Sequence, residues 1–228
     1  MIFSSFFKAL AQIGDARFRR VLWLGVGLTF ALLVAVYAGF LWLINVAFGD
    51  GVTLPILGEV NWLNDLLGWS SLFLMLVLSV FLMVPVASAI TSMFLDDVAQ
   101  AVEDRHYPQL PKAPSVPFWE ALRDTVNFLG VLIAANTVAL LLYLVLPFAS
   151  IFIFWALNGF LLGQEYFQLA AMRRIGREAA RDLRRRHWLT VWAAGTLMAI
   201  PLSVPLLNLF IPILGAATFT HIYHRVRG

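Results

Sequence analysis

The chain has 228 residues, of which 61% are hydrophobic and only 13% charged, with a mean hydropathy of +0.84. Soluble domains carry about 25% charged residues, so composition excludes an ordinary soluble domain and implies an integral membrane protein. The net charge of +3 comes mainly from arginine, and the absence of cysteine leaves no disulfide framework, thiolate metal site or thiol nucleophile.

Residues 1–14 put Ile2, Phe3, Phe6, Phe7, Leu10 and Ile13 on one face at helical spacing. Ser4, Ser5, Lys8 and Gln12 fall opposite, which predicts an N-terminal helix lying in the membrane interface. Gly14-Asp15 breaks that pattern, and Asp15 suits the N-cap of a new helix. Residues 15–48 read as a first transmembrane helix, with Trp23 and Trp42 towards the two interfaces. The 49–65 segment carries Asp50, Glu59 and Asp65 with no Lys or Arg, and reads as a loop. Residues 66–107 read as a second long helix, kinked near Pro85, whose polar end leaves the membrane before Tyr107-Pro108. Residues 114–163 read as a short amphipathic helix from Pro117-Phe118 followed by a first hairpin. Residues 164–187 form an arginine-rich helix with Arg173, Arg177, Arg181 and Arg185 in one stripe. Glu178 and Asp182 are offered as partners to Arg174 and Arg186.

Residues 188–228 form the second hairpin. Trp188 to Ile222 contains no Asp, Glu, Lys or Arg over 35 residues. As one helix it is roughly 52 Å long against a hydrocarbon core of roughly 30 Å. That is too long for one span and too short for two full spans of ~20 residues with a turn. Pro205 sits at its midpoint, and proline breaks or kinks a helix. A pair of half-helices that enters and leaves on one side fits best. Phe128 to Gly163 repeats the problem, with Pro147 near its middle. The two midpoints share a weak pattern, as a repeated membrane hairpin would. A six-span arrangement with shortened legs is the rival. The fold class expected is therefore an all-α integral membrane protein. It has two long transmembrane helices, two hemi-penetrating (re-entrant) hairpins and an N-terminal interfacial helix, all in one membrane domain. The acidic loop is expected outside, and the arginine-rich ends in the cytoplasm. Basic residues placed as topology signals argue against nucleic-acid binding.

Arg17-Phe18-Arg19-Arg20 is the clearest polar constellation. Guanidinium forks beside a helix N-terminus bind tetrahedral oxyanions, because both supply directed donors. Anchoring to lipid phosphate is the other reading, and it applies to the Arg173–Arg185 stripe as well. Glu103 and Arg105 sit where the second long helix leaves the membrane and can line an ion path. Asn208 lies beside the Pro205 tip and can line the same path or act as packing glue. His221 and His224 are three apart, but no third ligand makes them a metal site. No phosphate loop and no deep carboxylate stand in the chain, so a passive conduit is favoured over a coupled carrier. No cofactor is expected, and no catalytic cluster stands out.

The chain resembles the CysZ sulfate permease family, which shares its fold with etoposide-induced-protein-like membrane proteins. The resemblance rests mainly on Ile200-Pro201-Leu-Ser-Val-Pro205-Leu-Leu-Asn208-Leu-Phe-Ile-Pro212-Ile-Leu-Gly215-Ala-Ala-Thr218-Phe-Thr220-His221. Asn158-Gly-Phe-Leu-Leu-Gly163-Gln-Glu165-Tyr166-Phe with Arg173-Arg174 adds to it. Glu103 to Pro108 and Arg17 to Arg20 give weaker support. The resemblance implies a homo-oligomeric bacterial inner-membrane protein that takes up sulfate for cysteine synthesis, with lipid as its surroundings. It implies sulfate binding at a Gly-Leu-Arg-Arg-like segment opening the first long helix. Arg19 and Arg20 match the arginines, Phe18 stands at the Leu position, and Arg17 replaces the Gly.

Overall fold

The computed structural model describes residues 1–48, 52–54, 58–60, 94–114 and 118–228. They fall into two compact units, Met1–Leu22 with Thr91–Gly228, and Trp23–Ile90. Helix α2, Ala16–Phe48, begins in the first unit and runs through the second. Trp23 and Trp42 are both exposed, as lipid-interface residues near its ends should be. Within the second unit, part of the predicted acidic loop is instead an antiparallel hairpin, β1 (Val52–Leu54) with β2 (Gly58–Val60). Val52 faces Val60, and Thr53 faces Glu59. β-Branched residues on both strands favour this pairing over irregular loop. The predicted second long helix lies outside the described residues up to 93, as does Pro85. Its described end is α3, Leu95–His106.

In the first unit, α1 spans Ile2–Ala11 as expected, and Ile2, Phe6 and Ile13 of its apolar face pack against the core, but Ser5 and Gln12 of the polar set are buried with them. Ser5 and Ala9 are buried, with Gln12 just beyond, while Phe3 and Phe7 are exposed. The small side chains let α1 lie close on the C-terminal helix. Phe3 and Phe7 are then left for lipid while Phe6 packs on the core, which is the logic of an interfacial helix docked on protein.

The first hairpin is α4 (Phe118–Val145), a single 3-10 turn at Pro147–Ala149, and α5 (Ser150–Ile175). The predicted amphipathic helix and the first arm are therefore one continuous helix. Both arms extend into polar sequence, which makes them longer than the uncharged stretch suggested. Val126–Val145 and Pro147–Ile175, with Ala16–Gly39, are three segments long and apolar enough to cross a membrane.

The expected single helix over 164–187 is corrected to two. Gly176 has φ +76 and ψ 174, a backbone that only glycine adopts readily, and it ends α5. Helix α6, Arg177–Arg186, starts afresh, so Arg173 does not share a stripe with Arg181 and Arg185.

The second hairpin is α7 (Trp188–Ala199), a 3-10 turn at Ile200–Ser203, the short α8 (Pro205–Asn208) and α9 (Ile211–Arg227). Pro147, Pro201, Pro205 and Pro212 each fall in the first turn of a helical segment. Proline is tolerated there because that N–H has no intrahelical partner, so these prolines start segments and do not kink them. Helix α7 is about 18 Å long, well short of a bilayer core.

Helix α9 is the hub. Every residue from Ile211 to Tyr223 is buried, including the polar Thr218, Thr220 and His221. It packs on α1, α3 and α5. The tightest pairing is α5 on α7. A Cβ on Gly163 would lie 2.6 Å from the Val191 carbonyl oxygen, and one on Gly159 would lie 2.7 Å from the Thr196 Cα. Gly195 faces Gly159 across the seam. Gly159-x-x-x-Gly163 is thus the small-residue spacing that lets membrane helices approach backbone to backbone.

Candidate functional site

The segment that opens α2 is set by a cap and a buried ring. Asp15 Oδ1 accepts the Arg17 backbone N–H at 2.8 Å, which fixes the helix start as expected. Phe18 and Val21 then turn inward, 1% and 2% exposed. Phe18 is a core residue, and its ring is unavailable to an arriving ion. Helical spacing leaves Arg17, Arg19 and Arg20 outside. Arg17 Nη1 pairs with Asp104 at 2.7 Å, and Gln100 Nε2 donates to the same carboxylate at 2.7 Å. The Arg17 hydrogen bond, then that of Gln100, hold the Asp104 carboxyl below its usual range. Both partners are well exposed, so Arg17→Ala should change unfolding stability by less than about 1 kcal/mol in a detergent thermal melt. Among the described residues, the Arg19 and Arg20 side chains have no hydrogen bond or ion pair. They stand free one turn from the cap. The cap already uses the Arg17 N–H, so an anion there meets guanidinium groups first.

Glu103 occupies a different setting. It is 1% exposed and faces two guanidinium groups and an imidazole. Arg174 Nε donates to Oε1 at 2.9 Å and Nη2 to Oε2 at 2.7 Å, a bidentate fork. His224 Nε2 lies 3.0 Å from Oε1, and Arg173 Nη1 lies 3.5 Å from Oε2. Burial alone would raise the Glu103 pKa, but the bonds from His224 and Arg174 and the field of both arginines hold it at about 2. The outer partners tie the cluster to three helices and a loop. Arg174 Nη1 donates to the Pro111 carbonyl at 2.6 Å, and Arg173 Nη2 donates to Gln100 at 3.0 Å. Arg174 is therefore not paired with Glu178, as its spacing suggested. Nor is Glu103 paired with Arg105, which projects to the exposed side of α3.

Close by, the Tyr107 hydroxyl lies 3.2 Å from His221 Nδ1, and the Tyr107 ring lies 4.2 Å from that of His224. The two histidines thus serve the α3–α9 contact. Asn208 sits at the hairpin tip, half-buried, with no side-chain hydrogen bond among the described residues. His224, at Glu103, is on the far part of α9, so Asn208 is roughly 20 Å away along that helix. The structure therefore separates Glu103, Arg105 and Asn208. Arg174 and His224 were the residues that periodicity missed. The only signal is that a carboxylate on a buried face of α3, such as Glu103, needs hydrogen-bond donors from elsewhere.

Over residues 5–212 the chain matches the family described as Sulfate transporter CysZ/Etoposide-induced protein 2.4. No curated protein sequence matches it.

Proposed function

The chain belongs to the Sulfate transporter CysZ/Etoposide-induced protein 2.4 family, and we propose from this that it conducts sulfate into bacteria across the inner membrane. The observation that carries the reading is the family match together with Arg19 and Arg20. These two charges are exposed and, among the described residues, without partners at the start of a membrane-length helix. Two guanidinium groups offer the directed donors a tetrahedral dianion needs. Arg17, held by Asp104, shapes the site's edge, and Phe18 anchors it to the core.

The path beyond them runs along the second hairpin in this reading. The roughly 18 Å length of α7 supports a hairpin that dips partway and returns. Its tip must be covered by protein or water, since lipid cannot satisfy the backbone of a turn. Asn208 at that tip and Arg105 on the exposed side of α3 are candidates for the wall. Glu103 keeps α3 in register with α5 and α9, and so positions Arg105 without itself meeting the ion. A second copy of the chain is expected to complete the cover. The first hairpin is read as re-entrant on the same pattern, although its arms are also long enough to cross.

Inward movement of a dianion against about 100 mV, negative inside, costs roughly 4–5 kcal/mol. Uptake therefore needs a gradient, and sulfur assimilation into cysteine would maintain one. Equilibrium binding of radiolabelled sulfate to the detergent-solubilised protein tests the capture step. Removing one charge-assisted hydrogen bond costs about 1.5–3 kcal/mol, so Arg19→Ala/Arg20→Ala should bind at least about tenfold more weakly. Arg17→Ala should stay within a few-fold of wild type. Unchanged binding in the double variant would move the site elsewhere.

A further inference from the structure

A second set of arginines lies on the other side of the Gly176 break. Helix α6 ends Arg184-Arg185-Arg186, and α7 follows directly with Trp188. A groove of about 240 Å³ opens where these helices meet α5, lined by Phe160, Gln164, Arg184, Arg185, Trp188 and Trp192. We propose that this groove is a binding site for one anionic phospholipid, its phosphate on Arg184 and Arg185 and an acyl chain along the tryptophans.

Three independent observations converge on that occupant. The first is charge without a counter-charge. Among the described residues, neither Arg184 nor Arg185 has a carboxylate in ion-pair range. Arg184 is half-buried, and burial, then Arg181 and Arg185, push its pKa down, so the guanidinium lacks the anion that would offset its burial. The second is the wall. Trp188 is 58% exposed and its ring stacks with that of Trp192, 6.4 Å between centroids and 25° between planes. Trp192 Nε1 donates to the Ala156 carbonyl at 2.9 Å, which fixes the indole as a side of the groove. Exposed Leu189 and Phe160 continue the apolar surface. The third is depth. Tryptophan prefers the headgroup level, and here the arginines precede the tryptophans directly in sequence, on the polar side. A free oxyanion needs only the arginines, whereas the indole wall needs a chain.

The inference is independent of sulfate conduction. Its test uses the full chain in a neutral detergent, titrated with short-chain phosphatidylglycerol, short-chain phosphatidylcholine and inorganic phosphate, with binding read by native mass spectrometry. Phosphatidylglycerol should bind at least about tenfold more tightly than phosphatidylcholine. Arg184→Gln/Arg185→Gln should erase that preference, while Arg19→Ala/Arg20→Ala keeps it. Trp188→Ala should weaken phosphatidylglycerol several-fold and leave inorganic phosphate unchanged, which gives a readout even if the arginine variant fails to fold. Equal affinity for the two lipids overturns the proposal. So does inorganic phosphate binding as tightly as phosphatidylglycerol, since the ligand is then a free anion.

Discussion

Glu103→Gln should be among the most damaging single substitutions in this chain, lowering stability by about 3–5 kcal/mol. The carboxylate is 1% exposed and accepts from Arg174 and His224, with Arg173 beside it. Glutamine is nearly the same shape, but it removes the charge and turns one acceptor into a donor aimed at cations. Two guanidinium groups, 6% and 7% exposed, then lose their main counter-charge. At the usual scale for a chain of this size, the thermal midpoint should fall by on the order of 10 °C. Glu103→Met/Arg174→Met should recover about half of the loss, because Arg173 retains Gln100 and Asp96. The pH dependence has a definite sign. Folding lowers this pKa to about 2, from an unfolded value of about 4.3. The contribution is thus complete above about pH 4.5 and is lost as pH falls towards 2. Melts of wild type and Glu103→Gln across pH 7 to 3 should converge as pH drops. A constant gap would remove the ion cluster from the explanation.

Gly195→Ala should be comparably severe for a different reason. Its Cβ would overlap the Gly159 carbonyl oxygen and lie 2.7 Å from the Gly163 amide nitrogen. Both are backbone atoms, so no side-chain rotamer can relieve the clash. Overpacking costs about 1–3 kcal/mol where side chains can adjust, and here about 3 kcal/mol or more is expected. Alanine's better helix propensity returns only about 0.5–1 kcal/mol. Gly130→Ala is the matched control, since a Cβ there meets nothing within 4 Å. It should melt at or slightly above the wild-type temperature. If both variants melt together, α5 and α7 are not in backbone contact.

Much of this architecture can be read in the sequence because lipid imposes length and charge rules. The start of α2 and the two proline turns follow from such rules. The Gly176 break was missed because four-residue arginine spacing reads as one stripe, and a helix register says nothing of a single φ. The burial of Ser5 and Gln12 on α1 is not legible because hydrophobicity alone places polar side chains outside, whereas small or hydrogen-bonding groups can pack between helices. Glu103's partners come from 71 and 121 residues further along the chain, beyond the reach of any local pattern. The exposure of Arg19 and Arg20 was legible because it follows from local helical spacing beside Phe18 and Val21. The lipid groove was only half legible, as arginines whose apolar wall appears once α5, α6 and α7 meet.

Radiolabelled sulfate uptake into proteoliposomes tests the central claim most directly. Wild-type protein should carry sulfate well above the rate of empty liposomes, and folded Arg19→Ala/Arg20→Ala should carry about tenfold less or lower. Uptake by the wild type no faster than by protein-free vesicles would contradict sulfate conduction.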